Sequence, residues 1–183
     1  MDTLMFTVRQ AQLADLTIVR DVGIASYIAH FGTLWHSQSE MADFLANDFS
    51  VSALSKSLQD QQVCWLLAYE DETPVGFARL NLDSPLAATA TRGAELQKIY
   101  FLPGFAGRGY GEHLYAEVQR RAIENSQTLL WLDVLKTNVA AQRFYQRQGI
   151  AIVGEDRFTT ASQSVELWYM AKTLPLTTTS DLG

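Results

Sequence analysis

The chain has 183 residues, 48% hydrophobic and 19% charged, the proportions of a globular protein with interior enough for a core. Acidic side chains outnumber basic ones 20 to 14, with no Lys/Arg cluster as a local exception, which disfavours nucleic acid and other polyanionic partners. No apolar run reaches transmembrane length and the N-terminus lacks the basic-then-apolar pattern of a leader, so a cytoplasmic protein without a membrane partner is expected.

In chain order, "FTVRQA" (6–11) reads as a first strand. Leu16, Ile18, Val19, Val22 and Ile28 then recur at helical spacing from Ala14 to about His30, with Asp15 as the candidate cap. Residues 39–60 hold one or two helices, with Ser39 and Ser50 or Ser52 as candidate starts. "QVCWLLAYEDETPVGFARLNLD" (62–83) reads as a hairpin that reverses at "EDETP", where Pro74 suits the turn. Its Cys64, the only cysteine, allows no internal disulfide and reads as a buried, inert thiol. "ELQKIYFL" (95–102) is a third strong strand, ending at Pro103. Beyond a glycine-rich stretch, Tyr110, Leu114, Val118 and Ala122 share one helix face. "TLLWLDVL" (128–135) is a buried strand, "NVAAQRFYQRQG" (138–149) a short helix ended by Gly149, and "IAIVGED" and "SVELWYMAKTL" two closing strands. This order predicts a mixed α/β domain over residues 1–174, a sheet covered by helices, with a flexible tail over 175–183. His30, His36 and His113 have no metal-ligand spacing, so no metal is expected.

The stretch "LPGFAGRGYGEHL" (102–114) carries Gly104, Gly107, Gly109 and Gly111 between a strand and a helix. Glycine is costly to order, so such clustering signals unusual backbone angles or close approach to something. A helix start offers unpaired N–H groups and partial positive charge, and glycines let those amides surround a phosphate. A P-loop fails here, because Tyr110 and Gly111 stand where Lys and a hydroxyl are needed. A dinucleotide fingerprint fails too: Glu112 follows Gly107-Arg108-Gly109, and Leu114 follows Gly109-Tyr110-Gly111, at the third glycine's place. On this stretch alone, a tight turn rich in glycine for packing stays open.

A second element, "NVAAQRFYQRQGI" (138–150), follows the next strand. Asn138 can cap the helix or point its amide into a cleft, and Ala141 and Tyr145 share a helix face. Read alone, Phe144 and Tyr145 are core aromatics. Together the two elements resemble the Gcn5-related N-acetyltransferase (GNAT) family. Its acetyl-CoA signature, (Gln/Arg)-x-x-Gly-x-(Gly/Ala), corresponds to "AGRGYG", Ala106 to Gly111, and its second, Asn-x-x-Ala-x-x-Phe-Tyr-x-x-x-Gly-Phe, to Asn138–Ile150. The resemblance spans roughly residues 4–174. Ala106 replaces the family's Gln/Arg, which puts one side-chain contact to the cofactor in doubt, and Ile150 replaces the closing Phe. A narrower resemblance, to bacterial PaiA-type spermidine/spermine acetyltransferases, rests on "AELQKIYFLPGFAGRGYGEHLY", "LLWLDVLKTNVAAQRFYQRQGI", "MAKTL" and the upstream "DFLANDFSVSALSKSL".

The resemblance implies a mostly antiparallel sheet of about seven strands, split at an acetyl-CoA cleft. It implies direct acetyl transfer to a primary amine, spermidine or spermine in the narrower case, so Cys64 needs no covalent role. A free alkylammonium has a pKa of ~10.4, so the amine must first lose a proton. Glu95 is the candidate base, directly or through a water, and Tyr145 the candidate acid for the departing thiolate. Acetyl-CoA is assigned to Ile99, Tyr100 and Phe101, to Ala106, Gly107, Arg108, Gly109, Tyr110, Gly111 and Glu112, and to Asn138, Ala141 and Phe144. A backbone N–H near Phe101 would face the developing oxyanion. Trp35 and residues 39–60 are expected to shape the acceptor side. Another amine (amino acid, antibiotic or protein N-terminus) or a non-catalytic acetyl-CoA sensor are the alternatives, and a homodimer is allowed.

Overall fold

The computed structural model describes residues 2–87 and 89–176. Strand β1 (Phe6–Gln10) leads through a 3-10 turn to helices α1 (Leu16–Phe31), α2 (Gln38–Phe49) and α3 (Val51–Gln59). Strands β2 (Val63–Glu70), β3 (Thr73–Pro85) and β4 (Arg92–Phe101) follow, then helix α4 (Tyr110–Glu124), β5 (Leu129–Leu135), α5 (Val139–Arg147), β6 (Ala151–Thr159) and β7 (Ser164–Thr173). The seven strands form one sheet in the order β1-β2-β3-β4-β5-β7-β6. The β4–β5 pair is parallel and the other pairings are antiparallel, so the expected mostly antiparallel, seven-stranded mixed α/β fold is what forms.

Local expectations are met with adjustments. Helix α2 starts from Ser37, whose hydroxyl accepts the Glu40 N–H, and not from Ser39; Ser50, one of two candidates, caps α3 through the Ala53 N–H. Asp15 does not cap α1 with its side chain, because its carboxylate is committed to the Arg9 guanidinium and the Gln12 N–H. The hairpin reverses at Asp71, which adopts φ 51°, and Pro74 already belongs to β3. The expected tail lies, from residue 177 onward, outside the described residues.

One apolar core fills the sheet face beneath α4, with Leu66, Leu80, Leu114, Val118, Leu130, Leu132 and Met170 buried. A second, under α1–α3, is built on Val19, Leu45, Phe49, Leu54, Trp65 and Phe77. Two irregularities in β4 shape what lies between. First, Arg79 pairs with Lys98 and Leu80 with Leu96, so Gln97 is an extra, bulged residue. The bulge resets the alternation: Ala94, Leu96, Ile99 and Phe101 pack into the first core and Tyr100 into the second. Glu95 and Lys98, three apart, thereby share a face. Second, the β4–β5 register consists of Ala94↔Leu130 and Glu95↔Trp131, beyond which the strands diverge.

At the root of this fork, a Cβ on Gly93 would stand 2.5 Å from the Leu129 carbonyl oxygen, a backbone atom that cannot step aside. Gly93→Ala should therefore cost about 1–3 kcal/mol. Thermal unfolding should report this as a fall of about 2–4 °C per kcal/mol, whereas an unchanged midpoint would mean that β4 and β5 do not approach this closely.

Candidate active site

The fork opens into a cleft of about 1020 Å³. Its glycine-loop end is lined by Phe105, Ala106, Gly107, Gly109, Tyr110, Gly111 and Glu112, facing Asn138, Ala141, Phe144 and Tyr145 on α5. Ile99, Tyr100 and Phe101 form the β4 wall, and Glu95 stands at the fork. The structure thus brings the sequence-predicted residues to one cavity, with Arg108 as the exception.

Why these residues form a cradle follows from backbone geometry. Gly104, Gly107 and Gly109 have φ of 93°, 78° and 76°, the left-handed region that L side chains avoid. A Cβ at Gly107 or Gly109 would meet nothing within 4 Å, so the angle demands glycine there, and the vacant space belongs to the cleft. Helix α4 begins at Gly109, whose carbonyl accepts the His113 N–H at 3.2 Å. The amides of Tyr110, Gly111 and Glu112 lie ahead of that first helical bond and carry the positive end of the helix dipole. Such a set suits the pyrophosphate of acetyl-CoA and needs no side chain at Ala106.

Arg108 holds the loop from outside. Its guanidinium donates to Glu70 Oε2 at 2.6 Å, and the Tyr110 hydroxyl donates to the same carboxylate at the end of β2. Phe6 stacks on the Tyr110 ring at 4.1 Å, so β1, β2 and the start of α4 clamp the loop's base. On β4, the Leu102 N–H reaches Val75 O at 2.8 Å, and alternation then turns the amides of Ile99 and Phe101 away from β3, into the fork. The Phe101 carbonyl accepts the His30 Nε2 proton at 3.0 Å. Asn138 caps α5, its Oδ1 accepting the Ala141 N–H at 3.2 Å, which is one of its two candidate roles. Burial, then the Asp133 charge, raises the Tyr145 phenol above its ordinary value, so it keeps its proton at neutral pH.

The opposite end holds residues that were not anticipated individually. Asp133 on β5, Asp156 and Phe158 on β6, Lys98 on β4 and Gln163 before β7 line it together with the expected Trp35, and with Phe44 and Asp48 from α2. Phe44 contacts both Trp35 and Phe158, with ring centroids at 5.3 and 5.7 Å. Lys98, 6% exposed, binds Asp48 at 2.8 Å, and Arg79 meets the same carboxylate at 3.4 Å. Glu95 Oε1 accepts from Asn81 Nδ2 at 2.9 Å and from Ser84 Oγ at 3.2 Å. The sequence signal for Asp133 was its isolation: a single carboxylate inside the apolar strand "LLWLDVL".

A valine forced into the left-handed angle at Gly109 should cost about 1–3 kcal/mol of backbone strain. Taken from ligand affinity, that is roughly a ten- to hundredfold loss. Calorimetric titration of Gly109→Val with acetyl-CoA should show it, and wild-type affinity would remove the loop from the ligand site.

Known proteins share the sequence pattern and the fold. The model of the acetyltransferase (GNAT) family matches residues 30–150. An uncharacterized N-acetyltransferase of Mycobacterium bovis is 30% identical over 134 residues, 73% of this chain and 82% of that protein. Another, encoded in the pepI 3' region of Lactobacillus delbrueckii subsp. lactis, is 26% identical over 132 residues, 68% of this chain and 76% of that protein. Among solved structures, the PaiA N-acetyltransferase of Thermoplasma acidophilum in complex with coenzyme A has a TM-score of 0.73 at 20% identity, covering 92% of this chain and 99% of that one. The ribosomal-protein-S18-alanine N-acetyltransferase of Escherichia coli reaches 0.66 at 16% identity, covering 98% and 100%. Both structural likenesses concern the fold. The chain belongs to the GNAT family and is an acetyl-CoA-dependent N-acetyltransferase.

Proposed function

We propose that the protein acetylates a primary amine of a small polycation, of which spermidine and spermine are the type. The observation that carries this reading is the character of the end of the cleft opposite the glycine loop. Glu95, Asp133 and Asp156 line it, while Lys98 is matched by Asp48, and Arg157 by Glu166 at 3.0 Å. The balance is negative where an ammonium must arrive, and low-dielectric walls strengthen the attraction. Trp35, Phe44 and Phe158 add ring faces suited to methylene stems and to a second cationic group.

In this reading acetyl-CoA supplies an acetyl thioester. The glycine-loop amides hold its pyrophosphate, and Asn138, Ala141 and Phe144 border its arm. The carboxylates at this end of the cleft bind the ammonium and take its proton. The inward amides of Ile99 and Phe101 face the carbonyl oxygen as charge develops there. Tyr145, kept protonated by burial, donates to the departing sulfur.

Steady-state CoA release with spermidine, spermine, diamines, amino acids and peptides tests the acceptor. Polyamines should give the highest kcat/KM; preference for an amino acid or a peptide N-terminus would replace the polyamine reading, and acetyl-CoA binding without any turnover would favour a sensor. Tyr145→Phe should lower kcat by about a hundredfold while acetyl-CoA affinity stays near wild type. Unchanged turnover would remove Tyr145 from the chemistry.

A further inference from the structure

The family resemblance assigns proton removal to Glu95, directly or through a water; the side chains around it point to a second carboxylate for that task. We propose that Asp133 receives the proton of the acceptor ammonium, while Glu95, held in place by its neighbours, aligns it. This rests on the amine-acetylating reading above.

The fork places Asp133 where the reaction must occur. Glu95 opposite Trp131 is the last β4–β5 pair, and Asp133 is two residues further on, the next β5 side chain on the same face. It is therefore the first group on that face to stand inside the fork. Across the cleft are Tyr145 on α5, the candidate acid, and Tyr100 on β4, both of which feel its charge.

The two carboxylates differ in their partners. Glu95 is held by the Asn81 amide and the Ser84 hydroxyl, and Asn81 in turn accepts Arg79 Nε at 2.9 Å. Donors of this kind fix the direction of a carboxylate. Among the described residues, no side chain donates a hydrogen bond or ion pair to Asp133, whose carboxylate is touched only by its own backbone N–H. The charged and titratable groups facing it are Glu95, Lys98 and Tyr100 from β4, Tyr145 from α5, Asp156 from β6 and Tyr169 from β7. Asp133 is exposed towards the open cleft, yet the protein around it, then Glu95 and Asp156, push its carboxyl up to about 6, against the opposing pull of Lys98. A base with proton affinity near the working pH is ionised when the substrate arrives, yet basic enough to take its proton.

The step balances as follows. One proton passes from the ammonium to a carboxylate oxygen of Asp133, freeing the nitrogen lone pair. That pair forms the C–N bond to the acetyl carbon, and the C–S bond breaks with its electrons on sulfur. Sulfur takes the Tyr145 proton, the second proton of the acylated nitrogen restores the phenol, and Asp133 releases its proton to water in the open cleft. One proton is released in all, as conversion of an ammonium and a thioester to an amide and a thiol requires.

A raised carboxyl also burdens the fold, and the sign is definite. Between the ordinary value of 3.8 and about 6 the folded chain holds more proton than the unfolded one. Stability therefore falls as pH rises through that window, and the burden is complete above it and absent below it. Asp133→Asn should melt higher than wild type at neutral pH and lose that advantage as pH falls towards 4.

The test compares wild type, Asp133→Asn, Asp133→Glu and Glu95→Gln across a pH series, using whichever amine of the panel wild type acetylates best. Asp133→Asn should lose about a hundredfold or more in kcat at neutral pH with acetyl-CoA KM unchanged. Its rate should then climb about tenfold per pH unit as the free amine fraction grows. Asp133→Glu should restore part of the loss. Glu95→Gln should mainly raise acceptor KM and move the acidic limb of the rate profile to lower pH, because Asp133 loses its neighbouring anion. Wild-type silence across the panel would sink the amine reading and this assignment with it. An active wild type with undiminished Asp133→Asn turnover, or the steep pH recovery appearing in Glu95→Gln instead, would overturn the assignment alone.

Discussion

Everything chemical in this molecule depends on where one parallel ladder stops. Two adjacent strands lend each other hydrogen-bond partners along their length, and losing that pairing leaves polar backbone groups in want of others. Here β4 and β5 separate after Glu95 and Trp131. The carbonyl of Phe101 is satisfied by a histidine from α1, while the neighbouring amides face an open gap. A ladder left unfinished becomes a set of oriented dipoles between two packed cores, and those cores hold the strands apart. The cleft is thus an interruption of the sheet, flanked on one side by α4 and α5 and on the other by α1 and α2.

The charges on the inner wall are organised as a chain. Lys98 and Arg79 share Asp48, Arg79 reaches Asn81, and Asn81 reaches Glu95. Lys98 also lies 5.8 Å from the Phe44 ring centre and 5.4 Å from that of Phe49, so its charge is met by ring faces as well as by a carboxylate. Buried ion pairs add little net stability, because desolvation offsets their attraction, but breaking one from a single side costs about 3–5 kcal/mol. What such a chain supplies is orientation: Glu95 is fixed from behind by neutral donors, and its charge is spent on what enters the cleft.

Much of this was legible because local chemistry and global fold agree. The glycines of 104–109 announce angles only glycine adopts easily, and Leu114, Val118 and Ala122 mark the buried face of α4. Asn138, Ala141, Phe144 and Tyr145 were picked out by the family resemblance, and the helix period explains why they line one wall together. What stayed hidden depends on distance in sequence or on a shift of register. Nothing near Arg108 reveals that it will fasten to Glu70, 38 residues away. The bulge at Gln97 cannot be read from alternation, since it is a departure from alternation, and it decides which face Lys98 shares with Glu95. Asp133 reads as an oddity in a buried strand until the fork gives that strand an open side. Ser37 instead of Ser39 at the start of α2 is a smaller case, settled by which hydroxyl meets the Glu40 amide.

The wall opposite the glycine loop is completed by a clasp between distant parts of the chain. Glu40, near the start of α2, accepts the Thr160 hydroxyl at 2.9 Å and the Ser162 N–H at 3.1 Å. Gln163 takes the His36 N–H at 2.8 Å and donates to the Leu34 carbonyl at 3.0 Å. These bonds join residues 120 or more apart, the kind of contact that carries a large loop-closure cost. During synthesis the glycine loop and its clamp on β1 and β2 emerge well before the β6–β7 hairpin does. The wall opposite the glycine loop therefore depends on the last hairpin of the chain, whereas the loop's own clamp on β1 and β2 does not.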